Sequence, residues 1–510
     1  MSGVAGRALV LVGFMGSGKS SSARSICSGA LDSDALIEAE LGASVDTIFE
    51  RDGEAAFRAA EERVVLQALN QVGAGAGGGV ISLGGGALGS AAVREALTHH
   101  TVVLLDSDVE TAWRRVRRSK RPLVSDRESF DALHSARETT YLAAADVIVP
   151  AERRESLGDA LPSIKALAGL PAGTRLLWAE SDSGSYPVWV GENIAGRVAF
   201  DSGKRWAIVS DTNVAGLYGA AFPDAAKRLV MEPGEEHKTL ATCERLWTEL
   251  AEAGISREDG LVALGGGVVG DVTGFVASSY QRGIPVVQVP TTLVSQVDSA
   301  YGGKTGVDLP SAKNYVGAYH QPSAVVADTS LLASLPAGEV AAGMAEVIKT
   351  ALISGGPLWD SVKRGAKVDA DMVIACARTK LRVVSEDERD GGRRQVLNLG
   401  HTVGHAIETA TDYRMFRHGE AVGIGLVAAL RLSGHGALRA EVSELLRNAG
   451  LPVSAPDVDP NAVFDALQSD KKRHSDGTIP FVMCEAPGQV SHGHVIPLPA
   501  VMDAIKEVCQ

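Results

Sequence analysis

Short apolar runs alternate along the chain with glycine-rich turns and helix-like stretches, the order that builds α/β folds around parallel sheets. The run ALVLV at 8–12 leads into GFMGSGKS, VISL at 80–83 leads into GGGA, WAIVS at 206–210 leads into DTNV, and LVAL at 261–264 leads into GGGVVGDVTGFVASS. Helical patterning is predicted for 48–62, for 336–350 and for much of 398–420. Between them, 151–176 trades charge for Pro, Gly and Ala without a strong period, which predicts a closing helix and then a linker. A strand at an edge is expected at YPVWVGENI, near Tyr186.

At 510 residues the chain exceeds one ordinary core, and two or three domains are expected. Its net charge of −13 argues against a nucleic-acid surface, while leaving room for local basic pockets that take small anions. Five scattered cysteines form neither a disulfide framework nor a metal knuckle, the pattern of a reducing compartment. The N-terminal run goes directly into a glycine loop without signal-peptide order, and no uncharged apolar run reaches the ~20 residues that span a bilayer. A cytoplasmic enzyme of small substrates, with no membrane or nucleic-acid partner, is the expectation.

GFMGSGKS follows a strand and precedes a helix, which is the context in which G-x-x-x-x-G-K-S/T binds nucleotide phosphates. Gly13, Gly16, Ser17 and Gly18 let backbone N–H groups curl around phosphate, Lys19 reaches the β and γ phosphates, and the Ser20 hydroxyl suits magnesium. Asp32 and Asp34 stand two apart, so on extended chain they share a face and suit magnesium and an acceptor hydroxyl. Arg58, the 84–86 glycines, the basic cluster ending at Arg121 and Arg137 follow.

These motifs, with the IFE…GE…FR…E run, RPL and R…Y…AD in order, resemble shikimate kinase over nearly the whole first half. The resemblance implies a parallel-sheet P-loop kinase of the nucleoside-monophosphate-kinase type over 1–165, using ATP and Mg2+. It implies that Asp34 holds the acceptor hydroxyls and that Asp32 supports magnesium beside Ser20. Arg58, Arg137 and Gly85 would hold the substrate carboxylate, and Arg121 would close over the phosphates from a lid. Two guanidiniums can read a carboxylate bidentately, which makes the assignment physically coherent.

In the second half, NLGHTVGHAIETATDYRMFRHGE at 398–420 gathers three histidines. His401 and His405 stand four apart and so share a helix face, and His418 follows a loop-like segment; imidazoles so grouped fit a zinc-type ion, with a carboxylate often completing the set. Asp211 and Asn213 fall at a strand's carboxyl end, where open α/β sheets bind ligands. The strand-GGG-helix unit around Gly266, Gly267 and Val268 suits a phosphate but is not G-x-G-x-x-G. Glu346 and Lys349 stand three apart, and Arg394 and Asn398 four apart, each pair on one helical face.

GGGVVGDVTGFVA, PTTL, DSxxGGKTGVD, AKNYVGAYHQP, AEVIKT, RxxxNLGHTVGHAIE and HGEAV, in this order, resemble 3-dehydroquinate synthase from about Tyr186 to the end. The resemblance implies a linker at 166–178, a Rossmann-like NAD domain at 179–338, a mostly helical metal domain at 339–510, and a homodimer formed through this half. It makes Glu346, His401 and His418 the zinc ligands, with cobalt as a substitute, and gives His405 to substrate phosphate and proton transfer. NAD would be held by Asp211, Asn213, Glu235, Lys238, Gly266, Gly267, Val268, Asp271, Thr291 and Thr292, with Lys304 and Lys313 near it. Asp298, Lys304, Asn314, Lys349, Arg394, Asn398 and one of Lys471 or Lys472, with Lys472 preferred, would meet substrate, and Arg282 would reach across the dimer. Tyr301 departs from the small or aliphatic residue expected at its position.

The chain is thus expected to join a shikimate kinase to a 3-dehydroquinate synthase. The two reactions are not consecutive, so channelling is not implied. A related sugar-phosphate cyclase is the nearest rival for the second half. A metal-dependent alcohol dehydrogenase would lack the Arg, Lys and His set for phosphate. A silent regulatory half would have lost Lys19, Asp34, Glu346 or His401, and all four are present.

Overall fold

The apolar runs become buried parallel strands in both halves of the chain. The computed structural model describes residues 7–74, 79–117, 126–153, 155–201, 203–310, 312–468 and 479–510, so Arg121, Lys471 and Lys472 lie outside the described residues. Two units are distinguished, Met1–Ala179 and Glu180–Gln510.

In the first unit, β1 (Leu9–Val12), β2 (Leu31–Asp32), β3 (Val80–Ser82), β4 (Thr101–Asp106) and β5 (Val147–Pro150) pair in parallel in the order β2-β3-β1-β4-β5. β6 (Arg175–Ser181) joins β5 at Leu176 and Leu177, so the stretch expected as a linker also holds the start of a strand. Helices α1 (Lys19–Ile26), α2 (Ser33–Leu41), α3 (Val45–Ala74), α4 (Ala91–Leu97), α5 (Val109–Val116), α6 (Arg127–Ala144) and α7 (Ser156–Ala166) alternate with the strands. Val10, Leu11 and Val12 are all buried, as expected of a parallel strand covered on both faces. Parallel pairing aligns the carboxyl ends of β1, β2 and β3, so the glycine loop, Asp32 and the 84–86 turn emerge at the same edge.

In the second unit, β7 (Gly184–Gly191), β8 (Trp206–Asp211), β9 (Lys227–Met231), β10 (Gly260–Gly265) and β11 (Val286–Pro290) precede a hairpin of β12 (Lys304–Leu309) and β13 (Ala312–Tyr319), and β14 (Ala324–Asp328) returns to the sheet. Its parallel order is β7-β14-β11-β10-β8-β9. Helices α8 (Thr212–Tyr218), α9 (Leu240–Glu252) and α10 (Gly267–Ser279) belong to this part, and Leu261 and Ala263 of β10 pack with Val269, Val272 and Val276 of α10. The rest is mostly helical: α11 (Ala337–Ser354), α12 (Gly356–Lys363), α13 (Ala370–Glu386), α14 (His401–Ala410), α15 (His418–Leu432), α16 (Gly436–Asn448), α17 (Pro460–Gln468), the hairpin β15 (Pro480–Ala486) with β16 (Gln489–Val495), and α18 (Leu498–Val508). The mixed α/β class is as expected from the sequence.

Three helices approach so closely that only glycine fits between them. A Cβ on Gly425 of α15 would stand 1.9 Å from the carbonyl oxygen of Gly400, and one on Gly419 would stand 2.0 Å from that of Ala342 in α11. Backbone-to-backbone contact therefore fixes α11, α14 and α15 together, and Glu346, His401 and His418 sit on these three helices.

Gly425→Ala is expected to force α14 from α15 and to lower unfolding free energy by about 1–3 kcal/mol, as overpacking of a tight core does. Gly436→Ala, which meets nothing within 4 Å, serves as the neutral control. Urea denaturation of both variants checks the contrast.

Candidate active sites

The first unit gathers its functional groups around the loop after β1. Gly16 has φ +85°, and a Cβ there would lie 2.9 Å from the Ala112 carbonyl oxygen, so both conformation and space demand glycine. Lys19 Nζ donates to the carbonyls of Gly13 at 2.8 Å and Phe14 at 3.1 Å, and Arg115 donates to Gly16 O at 3.1 Å. The Ser17 hydroxyl is buried with no hydrogen-bond partner among the described residues, as expected of a loop built to receive phosphate oxygens. Asp32 caps α2 by accepting from the Asp34 and Ala35 amides, and its other oxygen accepts from Ser82 Oγ at 3.1 Å.

A cavity of about 720 Å³ opens beside the 84–86 turn, lined by Arg58, Gly85, Gly86, Arg137 and Tyr141 among others. Arg137 donates to Gly85 O at 2.9 Å, and Tyr141 donates to the same oxygen at 2.5 Å. Burial pushes the Tyr141 phenol up to about 12, which keeps it a neutral donor. A Cβ on Gly86 would lie 2.0 Å from Arg58 Nη1, and one on Gly84 would lie 2.5 Å from Asp34 Oδ1, so the turn brings both side chains to one place. Arg58 is held by Glu61 at 2.6 Å and Glu54 at 3.2 Å. Burial raises Glu61, with Arg58 pulling the other way. Glu61 and Arg115 had no role in the sequence reading, because their partners come from the fold.

In the second unit, Gly266 caps α10, whose N-terminal end follows β10. A Cβ on Gly266 would lie 2.8 Å from Thr292 Cγ2, and the Thr291 hydroxyl is buried without a partner among the described residues. This narrow, polar cradle at a helix N-terminus fits a dinucleotide's pyrophosphate. Asp211 caps α8 through the Asn213 and Val214 amides, with Asn213 itself exposed. Lys238 is buried and donates to Asp271 Oδ2 and Asn314 Oδ1, each at 2.6 Å. Burial works against its charge, but Asp271 and then Glu235 more than offset this and raise it. Lys313 pairs with Glu235 at 3.3 Å and lies 4.0 Å above the Tyr413 ring. Val268 follows in the first turn of α10, and the exposed Arg282, with φ 69°, ends the turn Tyr280–Arg282.

The centre of this unit is Glu346, which is fully buried. Its Oε1 lies 3.6 Å from His401 Nε2 and 3.6 Å from His418 Nε2, and Oε1 accepts no hydrogen bond among the described residues. Its Oε2 pairs with Lys349. Two donors each about 2.0–2.1 Å from a tetrahedral zinc stand about 3.4 Å apart, so the separation of Glu346 from each imidazole suits a shared ion of this kind. His405 also comes close, its ring 5.2 Å from that of His401 and 5.8 Å from that of His418. One candidate donor atom from each of the three histidines lies within 4.8 Å of the others.

Cations and their partners surround this centre. Asp298 sits in a π-helical turn at Ser295–Ser299, a local irregularity that the sequence does not signal. Burial would raise Asp298, but Lys380, at 2.9 Å, and Lys349 hold it well below the usual carboxylate range. Burial lowers Lys304, while its partner Asp390 opposes the shift. Arg394 is buried, donating to Gly302 O at 2.9 Å and to Glu388 O. Asn398 ends the turn leading into α14. Lys380, Asp390 and Glu408, which contacts His418, had no role in the sequence reading. Tyr301, the departure noted there, is buried with its hydroxyl donating to Gln296 O at 2.6 Å, so its polar end is satisfied.

Residues 15–167 match the family model for shikimate kinase, 228–342 that for the 3-dehydroquinate synthase N-terminal region, and 343–473 that for its C-terminal region. The 3-dehydroquinate synthase of Halorhodospira halophila is 43% identical over 333 residues, covering 62% of this chain and 94% of that protein. That of Symbiobacterium thermophilum is also 43% identical over 333 residues, covering 60% of this chain and 92% of the relative. The solved 2-deoxy-scyllo-inosose synthase complexed with carbaglucose-6-phosphate, NAD+ and Co2+ is 26% identical with a TM-score of 0.59, covering 65% of this chain and 99% of that one. The 2-epi-5-epi-valiolone synthase of Streptomyces hygroscopicus with NAD+ and Zn2+ bound is 27% identical with a TM-score of 0.59, covering 63% and 96%.

Lys380→Met is expected to cost about 1–3 kcal/mol by leaving the partly buried Asp298 without its main counter-charge. Adding Asp298→Asn restores much of that loss, which a double-mutant cycle of denaturation free energies measures. Because Asp298 is depressed, its share of stability is present above the ordinary carboxylate range and lost as pH falls towards its folded value. The Asp298→Asn variant is therefore expected to show a flatter acid limb.

Proposed function

As a member of the 3-dehydroquinate synthase family with a shikimate kinase domain ahead of it, the chain is a bifunctional shikimate-pathway enzyme, and we propose how its residues divide the two reactions. Met1–Ala179 transfers the γ-phosphoryl group of ATP to shikimate, and Glu180–Gln510 turns 3-deoxy-arabino-heptulosonate 7-phosphate into 3-dehydroquinate with loss of phosphate. The 43% identity to two 3-dehydroquinate synthases, against 26% and 27% to the two other cyclases, supports this substrate over a related sugar phosphate.

In the kinase, Arg58 and Arg137 grip the shikimate carboxylate over the Gly85 turn, and Asp34 orients the hydroxyl that attacks. Lys19 and Arg121 offset charge on the transferring group, while Ser20 and Asp32 hold magnesium. Catalysis is then chiefly positioning and charge stabilisation.

In the synthase, the observation that carries the reading is the buried Glu346 oxygen facing two imidazoles at 3.6 Å. Glu346, His401 and His418 would hold zinc, which would supply Lewis acidity at the substrate's hydroxyls. NAD, which Asp211, Glu235, Lys238, Gly266, Gly267, Asp271, Thr291 and Thr292 would hold, would supply hydride-transfer chemistry at this site. Lys304 and Arg394 hold the anionic ends of substrate, with Asn314, Asn398, Asp298 and Lys472 orienting it. His405 serves the phosphate and moves a proton, and Lys349 stays charged beside Glu346. Charge around the leaving phosphate is thereby offset before it departs. A homodimer through this half, with Arg282 reaching the second copy's site, completes the proposal; the exposure of Arg282 supports it.

Phosphate release from 3-deoxy-arabino-heptulosonate 7-phosphate is expected to require NAD, to vanish on metal stripping and to return with zinc. No turnover by protein that still binds NAD and zinc sinks the substrate assignment. Lys19→Ala is expected to abolish shikimate-dependent ADP formation and leave phosphate release unchanged, which coupled assays on one preparation would read.

A further inference from the structure

Each imidazole facing Glu346 has its other nitrogen turned onto an acceptor. His401 Nδ1 lies 3.2 Å from Leu399 O, and His418 Nδ1 lies 3.4 Å from Glu408 Oε1. A carbonyl and a carboxylate suit a ring N–H, so with a metal on Nε2 each ring would carry its proton on Nδ1 and offer Nε2 to the ion that Glu346 Oε1 would share.

The two acceptors differ in charge, and the electrostatics of the centre give a reason. His401 and His418 are the first residues of α14 and α15, so two helix N-termini, each a partial positive charge, converge where a dication would bind. The charge of Glu346 is shared with Lys349, and that of Asp298 with Lys380. Glu408 is 4% exposed, and the one ion-pair contact recorded for it among the described residues is His418. Its backbone oxygen also accepts from the Tyr413 amide at 2.8 Å, tying down the loop that carries the chain from α14 to His418.

We propose that Glu408 is a positioning residue of the metal centre: it fixes the His418 tautomer and supplies the negative charge that the helix ends and Lys349 otherwise remove. The inference rests on the reading of Glu346, His401 and His418 as ligands. Outer partners of this kind typically set metal affinity by about 10–100-fold.

The test uses the full chain with Glu408→Gln, Glu408→Ala and, as reference, Glu346→Gln. Zinc affinity is read by competition with a chromophoric chelator, the ligand field by the visible bands of the cobalt-substituted protein, and folding by thermal melts of the metal-free form. Glu408→Gln keeps shape and an acceptor oxygen but loses the charge, so about tenfold weaker zinc binding and a shifted cobalt band are expected with an unchanged metal-free melt. Glu408→Ala is expected to lose more. Wild-type zinc affinity in both Glu408 variants, with or without a lowered melt, assigns Glu408 to packing and overturns the proposal, provided Glu346→Gln loses the metal. If Glu346→Gln also binds zinc as wild type does, the ligand reading itself has failed.

Discussion

A carboxylate with no access to water must be paired, and in this chain Glu346 is that carboxylate. Its burial would cost several kcal/mol without cationic company. Lys349 answers one oxygen, and two imidazoles wait at equal distance from the other. The arrangement exists only because Gly419 and Gly425 let three helix backbones touch. The chemistry of the second unit therefore depends on positions that carry no side chain at all.

Both units solve the same electrostatic problem in the same way. An acidic chain must receive anionic substrates, so each gathers cations, several of them tied to a neighbouring acid. Arg58 rests on Glu61, Lys304 on Asp390, Lys380 on Asp298 and Lys238 on Asp271. These contacts fix the orientation of long side chains that would otherwise lose rotamer freedom on binding.

The legible part of this was the local part. GFMGSGKS announces its loop because all of its function is contained in consecutive residues, and His401 with His405 announce a shared face because helical spacing is local. The α/β class followed from the alternation of short apolar runs with helices. Motif resemblance supplied Glu346, far along the chain from His401, which spacing alone could not. Glu61, Lys380, Asp390 and Glu408 stayed silent because each matters through one partner, and three-dimensional pairing leaves no period to read. The π-helical turn under Asp298 and the hydroxyl contact of Tyr301 are likewise outcomes of packing. The start of β6 inside the expected linker shows how a Pro- and Gly-rich stretch can hide a strand that only its neighbour completes.

If Lys304 meets substrate as proposed, its pairing with Asp390 has a consequence for selection. A ligand arriving at Lys304 meets Asp390 already in place, so binding is an exchange of partners rather than the filling of a bare positive site. A neutral sugar of the right shape has nothing to trade for that carboxylate and leaves the pair intact. On the proposed role of Lys304, a doubly charged phosphate would displace that carboxylate from it. Discrimination then comes from substitution, with the resident acid acting as the competitor every visitor must outbid.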